Sequence, residues 1–253
     1  MKSELITMKK WLMQQNLETI PVSGRMPANR QSGFTLIEIA IVLVIIGLLL
    51  GGVLKGQELI NTARVRSLNN NIDGITSAWF SFSDRYRAFP GDYAQATVNL
   101  PNIQRNGDGN GLVSTAAERA LVWSHLQAAG YITGSYVDDN ATTIQANEYS
   151  CSVNTCPDNG FGRGMVVNRG ALQQSGGAPA HELLSGRAIP SDVLAELDRK
   201  IDDGTTSAGS MQLGTQGAGW GSAAEITACQ GDTVNDYNVK TPSDNCAAVF
   251  RNF

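Results

Sequence analysis

The sequence of 253 residues predicts an α+β fold, in which a long N-terminal helix packs against a C-terminal globular head with a small antiparallel sheet. An apolar run with one charged residue covers residues 34–54, and an amphipathic helical pattern follows it over residues 55–87. In the remainder, short β-capable segments alternate with Gly, Asn and Ser. The chain therefore divides into a leader (1–33), a transmembrane half-helix, an amphipathic half-helix and a head (88–253).

The apolar run is long enough to span a membrane. From Phe34 to Leu54 it contains about 21 residues, and at ~1.5 Å per residue a helix of that length crosses the ~30 Å hydrocarbon core of a bilayer. Its one charged residue is Glu38. A carboxylate at membrane depth is unfavourable unless another group pairs with it. The run therefore predicts a transmembrane helix and marks Glu38 as a residue that needs a partner.

The same helix is predicted to continue as an amphipathic segment to about Arg87. Apolar residues recur there every three or four positions, which places them on one face of a helix. Arg64 is the one charged residue in this stripe. The pattern ends at Phe89-Pro90-Gly91-Asp92, which is typical of a helix end. The apolar members of the stripe are Ile60, Leu68, Ile72, Ile75, Trp79, Phe82 and Tyr86.

The head is predicted to contain two helices and a meander of short strands. Thr115 and Glu118 form a capping-box pattern that opens a helix ending near Gly130. Ser191 is predicted to cap a second helix, which Gly204 stops. Gly, Asn and Ser separate the runs, which favours an antiparallel meander over a parallel sheet. The β-capable runs are Tyr131–Thr133, Met165–Val167, Ser210–Leu213, Ala224–Thr227 and Ala247–Phe250.

The charge distribution predicts the orientation of the apolar run. The leader before Phe34 has a surplus of about three positive charges, so the remainder of the chain is near −7 because the whole chain is −4. A basic segment before the span and an acidic one after it favour a cytoplasmic N-terminus. The acidic remainder argues against a general nucleic-acid-binding protein. The leader has no apolar core, so it does not fit an ordinary secretory signal peptide. The translation start stays open between Met1, Met8 and Met26.

All four cysteines follow the apolar run and would lie on the non-cytoplasmic side. An even number of cysteines in an oxidising compartment predicts two disulfides. We prefer the pairs Cys151–Cys156 and Cys229–Cys246, although four cysteines allow three pairings and free thiols are an alternative. A zinc site is disfavoured because neither pair has CxxC spacing and because His125 and His181 are the only histidines.

The segment 106–111, Asn-Gly-Asp-Gly-Asn-Gly, is similar to the start of a calcium-binding loop. Oxygen-bearing side chains alternate at Asn106, Asp108 and Asn110, and Gly occupies the sixth position. Ala117 stands where the twelfth-position carboxylate belongs. An Asn/Gly turn without a metal is the preferred interpretation, and weak calcium binding is the alternative. No other cofactor is predicted.

No motif in the sequence predicts catalysis. His181-Glu182 lacks the second histidine of a zinc-hydrolase motif and is interpreted as a surface pair on a helix or loop. Asp202-Asp203 is interpreted as an exposed helix end. We call the segment between Cys229 and Cys246 the C-terminal cysteine loop. Its polar residues Asp232, Asn235 and Asp236 are interpreted as solvated turn residues, and a weak cation site is the alternative. We therefore expect that the protein is not an enzyme.

The residues Gly33-Phe34-Thr35-Leu36-Ile37-Glu38 and the apolar run after them resemble the prepilin signal shared by type IV pilins and type II secretion pseudopilins. The resemblance implies a pilin-like fold and an inner-membrane precursor. It also implies that a prepilin peptidase cleaves between Gly33 and Phe34 and that Phe34 is then N-methylated. The further partners implied are an inner-membrane assembly platform, membrane lipid before assembly, and other pilins in a homo- or hetero-polymer.

The resemblance also gives Glu38 a partner. Cleavage creates a positive amine at Phe34, and Glu38 of a neighbouring subunit would pair with it when the helices polymerise into a filament. Opposite charges attract strongly in a low dielectric, so the pair would fix the axial register of the subunits. The head would be periplasmic before assembly, and afterwards would lie on the cell surface or in a periplasmic pseudopilus.

Three functions stay open at this stage. A structural subunit of a type IV pilus is preferred, in part because the Cys229–Cys246 loop is similar to the disulfide-bounded region of type IV pilins. A pseudopilin of a type II secretion system is the first alternative. A membrane-anchored binding module that does not polymerise is the second. The sequence leaves open whether the subunit is major or minor and whether the head binds DNA or a surface.

Overall fold

The computed structural model describes residues 35–145, 151–215, 223–251 and 253. The chain divides into two units, Met1–Gly51 and Gly52–Phe253, and the described part of the first unit is helical from Leu36 onward. The elements in chain order are α1 (Leu36–Tyr86), α2 (Ala96–Asn99), α3 (Ala116–Ala128), β1 (Val166–Gly170), β2 (Ala180–Leu184), α4 (Ser191–Ile201), β3 (Met211–Leu213), α5 (Ala223–Cys229) and β4 (Ala248–Phe250).

The four described strands form one antiparallel sheet in the order β1-β2-β4-β3. Val166 pairs with Leu184, Leu184 with Val249, and Leu213 with Ala248. This arrangement confirms the predicted α+β class with a small antiparallel sheet. β2 and β4 are the two central strands. Because they lie far apart in the sequence, formation of the sheet requires a long-range pairing.

Two of the predicted strands are wrong. Tyr131–Thr133 lies in a bend after α3, and Ala224–Thr227 lies within helix α5. The strand β2 was not predicted, because its sequence Ala-His-Glu-Leu-Leu contains two polar residues and does not alternate. In the structure Glu182 of this strand is nevertheless buried. Its carboxylate accepts a hydrogen bond from the backbone N–H of Leu172 at 3.0 Å, which compensates the burial. A buried polar group with a partner gives no hydrophobic signal in a sequence.

Helix α1 buries a stripe of its C-terminal half in the head. The predicted stripe is confirmed for five residues, while Ile60 is 55% exposed and Arg64 is exposed, so burial begins one turn later than the pattern predicted. The guanidinium of Arg64 lies 5.7 Å from the centroid of the Phe161 ring, a cation–π contact that explains the charged residue in this row. The buried residues of α1 are Val65, Leu68, Ile72, Ile75, Ala78, Trp79 and Phe82.

A local signal sets the start of α3, whereas the residue expected to cap α4 is occupied by a long-range contact. The predicted capping box of α3 is present, because Thr115 Oγ1 accepts from the N–H of Glu118 and the Glu118 carboxylate accepts from the N–H of Thr115. The predicted cap of α4 is wrong. Pro190 precedes this helix, and Ser191 is its first residue. The hydroxyl of Ser191 instead donates to the carbonyl of Asn238 at 2.6 Å. A long-range partner therefore replaces the local cap.

Two disulfides join Cys151 to Cys156 and Cys229 to Cys246. These are the two pairs preferred from the sequence. The second disulfide connects the end of α5 to the segment before β4, and the backbone N–H of Ser243 within its loop donates to Ser191 Oγ at 3.0 Å. The C-terminal cysteine loop is therefore attached both to the sheet and to α4.

The burial pattern of α1 predicts unequal effects for two phenylalanines on this helix. Phe82→Ala should lower the free energy of unfolding by about 3–5 kcal/mol, because it empties a fully buried site. Phe80→Ala is the matched control and should cost less than about 1 kcal/mol, because the Phe80 side chain is 50% exposed. Denaturant unfolding of the full chain in detergent, followed by tryptophan fluorescence, measures both. Equal losses in the two variants would contradict this packing.

Candidate functional site

The N-terminus of helix α1 is closed by a capping box between Thr35 and Glu38. Glu38 Oε2 accepts hydrogen bonds from the backbone N–H and from the hydroxyl of Thr35, both at 2.8 Å. The N–H of Glu38 donates in return to Thr35 Oγ1 at 3.3 Å. The carboxylate that was expected to need a partner therefore has one within its own chain. The proposed cleavage residues Gly33 and Phe34 lie outside the described residues.

The residues after Glu38 form an exposed apolar surface on α1. An 18-residue window of this helix has a mean hydropathy of 2.8, and none of it is buried within the chain. The helix is thus long and apolar enough to cross a membrane, by length and composition. A Cβ added at Gly47, Gly51 or Gly52 would meet no atom within 4 Å. Packing within the chain therefore does not require these glycines, and their surfaces are free for contact with lipid or with other helices.

A second concentration of polar groups lies where the chain leaves α1. We call residues 88–113 the Asp92 loop. The buried carboxylate of Asp92 accepts three backbone hydrogen bonds, at 2.9 Å from Gly109, 3.0 Å from Asn110 and 2.9 Å from Gly111. A cluster of N–H groups around one carboxylate is the compensation that a buried charge requires. The predicted Asn/Gly turn is therefore wrapped around Asp92.

Two glycines allow this wrapping. Gly91 has a φ of +90°, and a Cβ there would lie 2.5 Å from the carbonyl oxygen of Glu118. A Cβ at Gly107 would overlap the backbone of Asp92. The backbone at Gly91 therefore lies closer to α3, and the backbone at Gly107 closer to Asp92, than any side chain permits.

The carboxylate oxygens of Asp92, Asp108 and Glu118 lie within 4.8 Å of one another. Glu118 accepts from the N–H groups of Ser114 at 3.0 Å and Thr115 at 2.9 Å. Burial raises the pKa of Asp92, and the nearby charge of Glu118 raises this pKa further, while the backbone donors act in the opposite direction. The sequence did not predict that Asp92 and Glu118 lie next to each other. The available signals were the Asp after Pro90-Gly91 and the capping-box Glu, but nothing in the sequence brings the two together.

The three residues considered for calcium each have a local hydrogen bond. Asn106 Oδ1 accepts from the N–H of Thr97 at 2.9 Å, and Asn110 Oδ1 accepts from the N–H of Leu112 at 2.8 Å. Asp108 accepts from the N–H of Asn110 at 3.0 Å and from its side-chain amide at 2.8 Å. The contacts of Asp108 and Asn110 are those of Asx turns, whereas Asn106 binds a backbone group nine residues earlier in the chain. A turn without a metal stays the preferred interpretation, and weak calcium binding at these residues stays its alternative.

The interpretation of His181-Glu182 as a surface pair is wrong, because both residues lie in strand β2. Glu182 is fully buried and pairs with Arg251, whose Nε is 3.3 Å from Glu182 Oε1. His181 is half-buried, and its Nε2 accepts from the N–H of Val113 at 3.1 Å. The other histidine, His125, is fully buried in α3, and its Nδ1 accepts from the N–H of Gly91 at 3.0 Å. Both imidazoles therefore serve as acceptors for backbone groups.

The acidic residues Asp198 and Asp202 near the end of α4 and the polar residues of the C-terminal cysteine loop have hydrogen-bond partners, and some of these bonds join the two regions. Asp202 accepts from Ser210 and from the N–H of Met211, and Asp198 accepts from the hydroxyl of Tyr237 at 2.8 Å. Burial raises the pKa of Asp198 to about 6. The three residues of the cysteine loop have different partners: Lys240 for Asp232, Ser207 for Asn235 and Thr233 for Asp236.

The backbone donors around Asp92 lead to a prediction on stability. Asp92→Asn should lower the free energy of unfolding by about 1–3 kcal/mol, because an amide replaces one acceptor oxygen by an NH₂ group that faces the loop N–H donors. Asp84→Asn is the control and should change stability by less than about 0.5 kcal/mol, since Asp84 is exposed and its ion pair is with exposed Arg87. Denaturant unfolding tests both, and a neutral Asp92→Asn would argue against this network.

The same hydrogen bonds predict how the Asp92 loop responds to calcium removal. We expect the melting temperature of the full chain to be the same in EDTA and in millimolar Ca²⁺, because the backbone donors already compensate the Asp92 carboxylate. Differential scanning fluorimetry measures both conditions. A rise in melting temperature with Ca²⁺ that is lost in Asp108→Asn would instead assign calcium to the loop.

One comparison with known proteins gives a match. Residues 28–54 match the family described as the prokaryotic N-terminal methylation motif. No curated protein and no solved structure matches the chain. The matched segment includes Thr35, Glu38 and the exposed apolar face of α1, and it implies processing by a prepilin peptidase and assembly into pilin-type polymers. The chain thus carries at residues 28–54 the prepilin-type signal of type IV pilins and pseudopilins, on an α+β, pilin-like fold.

Proposed function

We propose that the protein is a structural subunit of a type IV pilus-like filament. It is made as an inner-membrane prepilin, cleaved after Gly33, N-methylated at Phe34 and polymerised through its N-terminal helix. The observation that carries this proposal is that the methylation motif at residues 28–54 coincides with the exposed apolar part of α1. A helix of this kind needs an apolar environment, which lipid supplies before assembly and neighbouring helices supply afterwards.

Glu38 is the residue that we expect to select the register of the filament. Cleavage after Gly33 produces a positive amine at Phe34, four residues before Glu38 in the sequence. In the structure Thr35 already holds the Glu38 side chain at the N-terminal end of α1. The carboxylate of one subunit is therefore positioned at the helix end, where the amine of a neighbour would supply the opposite charge.

We propose a cytoplasmic N-terminus and a periplasmic head for the precursor. The support is the basic leader before the apolar run and the acidic sequence after it. The two disulfides are consistent with this orientation, because disulfides persist in the periplasm and are rare in the cytosol.

One disulfide favours a pilus over a secretion pseudopilus. The Cys229–Cys246 disulfide encloses an exposed loop before β4, which is similar to the disulfide-bounded region of type IV pilins. A type II secretion pseudopilin remains the alternative. A membrane-anchored binding module differs from both, because its apolar helix would stay in lipid and Glu38 would have no partner in another subunit.

The proposed role of Glu38 predicts a separation of processing from assembly. Glu38→Ala should still be cleaved and methylated, so mass spectrometry of the mature chain should find N-methyl-Phe34 at its N-terminus. Filament assembly should be strongly reduced, because the amine loses its counter-charge. Glu58→Ala is the matched control, since Glu58 is an exposed carboxylate of the same helix and pairs with Lys55 of its own chain.

Filaments are quantified by shearing cells and probing the sheared and cell fractions with an antibody to the head. Normal filaments from Glu38→Ala would rule out the proposed role of this carboxylate. Wild-type protein in the sheared surface fraction would favour a pilus, and protein confined to the periplasm with a secretion defect on deletion would favour a pseudopilus. Protein that is never found in a polymer would favour the binding module.

A further inference from the structure

The two histidines of the chain hold the two ends of the Asp92 loop. His125 Nδ1 accepts from the N–H of Gly91 near the start of the loop, and His181 Nε2 accepts from the N–H of Val113 at its end. No other histidine is present in the sequence. The neutral imidazole is required at both places, because a protonated ring nitrogen donates a hydrogen and cannot accept one.

His125 is enclosed between α1 and the Asp92 loop. Its ring stacks on Phe82 with centroids 6.3 Å apart and an interplanar angle of 15°. Because Nδ1 accepts from Gly91, the ring hydrogen lies on Nε2, which faces the carbonyl of Arg105 at 3.4 Å. The charged groups that act on this ring are Arg105 and Asp138, which pair with each other at 2.8 Å. Asp138 favours an imidazolium and Arg105 disfavours it, so burial of the ring is the main cause that keeps His125 neutral.

His181 packs against two aromatic side chains, Trp79 of α1 and Phe89 of the Asp92 loop. Its ring centroid is 5.4 Å from that of Trp79 and 4.6 Å from that of Phe89, so the imidazole packs on α1 and on the start of the Asp92 loop together. The charged group that acts on it is Arg169 of β1, which disfavours the protonated form. The backbone of Val113 is bound on both sides, since its carbonyl also accepts from the N–H of Arg169 at 3.2 Å.

We propose that His125 and His181 form an acid-released latch, meaning that protonation of the two imidazoles detaches the Asp92 loop from α3 and β2 while the rest of the head stays folded. Each protonation turns an acceptor into a donor that faces a buried backbone N–H, so the bond is replaced by a repulsive contact. Both changes act on the same segment, at its two ends.

The electrostatics of the rings fix the direction of the pH dependence. Burial lowers the pKa of His125 and the pKa of His181 to about 4 each. The unfolded value is near 6.5, so the two rings contribute stability above pH ~6.5 that is lost as the pH falls toward 4. Two carboxylates act in the opposite sense. Burial raises the pKa of Asp92 within the loop and raises that of Asp198 to about 6, and protonation of either group on acidification favours the folded state. The helix α4 that contains Asp198 is therefore a suitable internal reference.

The Asp92 loop is able to detach as a unit because its internal hydrogen bonds contain no histidine. Asp92 is bound by N–H groups of residues 109–111, and the N–H of Gly107 donates to the carbonyl of Tyr93 at 3.0 Å. The outward attachments are different in kind. Apart from the two imidazoles they include the Arg105–Asp138 ion pair, the bond from the N–H of Asp108 to Glu118, and the bond from the N–H of Arg169 to the carbonyl of Val113.

Hydrogen exchange of the full chain in detergent micelles tests the latch. Exchange is measured by mass spectrometry at pH 7 and pH 4, with labelling times scaled for the intrinsic rate. Peptides from residues 88–113 should gain at least about tenfold in corrected exchange rate at pH 4, while peptides from α4 and β4 should change by less than about twofold. Equal gains in all peptides, or no gain in residues 88–113, would overturn the proposal.

Two substitutions make the test specific. His125→Asn and His181→Gln place an amide oxygen close to Nδ1 and Nε2 respectively, so each retains an acceptor that does not titrate. The double variant should show no acid-dependent gain in residues 88–113, and a gain equal to that of the wild type would overturn the proposal. Should the variants fail to fold, NMR titration of the wild-type imidazole protons replaces them. Midpoints for both rings well below 6 that coincide with the exchange transition support the latch, and a midpoint near 6.5 for either ring contradicts it.

Discussion

The burial of Trp79 and Phe82 is the interaction on which the rest of the head depends. Trp79 contacts Phe89, His181 and Phe253, and Phe82 contacts Tyr93, His125 and Tyr131. The Asp92 loop, α3, β2 and the segment after β4 therefore each contribute a ring that packs on α1. Aromatic side chains bury the most area per residue, so two positions of one helix organise the Asp92 loop, α3 and the sheet.

Backbone N–H groups are recurring partners of carboxylates in this structure. Glu38, Asp92 and Glu118 all accept hydrogen bonds from backbone N–H groups. Charge-assisted bonds to backbone donors need no long side chain to be ordered, so they cost less conformational entropy than ion pairs with Lys or Arg. The buried carboxylate of Glu182 combines both solutions, because it accepts from the N–H of Leu172 and pairs with Arg251.

Features encoded in neighbouring residues were predictable, and features that depend on distant ones were not. The α1 stripe and the Thr115–Glu118 capping box follow from spacing alone, and both are present. Strand β2 escaped prediction because its burial depends on β4, which lies over 60 residues away in the sequence. The Ser191 cap was wrong for the same reason, since Asn238 competes for the hydroxyl. The neighbours of Asp92 come from the loop and from α3, so no local pattern shows them.

The capping box at Thr35 and Glu38 bears on how a filament would grow if the proposed function holds. Both donors of Thr35 bind one oxygen of the Glu38 carboxylate, Oε2, so the side chain is already ordered in the free subunit. The amine of a neighbour would then pair with a carboxylate whose position is fixed, and the pair would need little further ordering of Glu38. A fixed acceptor favours an amine that arrives in good geometry over a misaligned one, so the cap would make the addition of subunits selective.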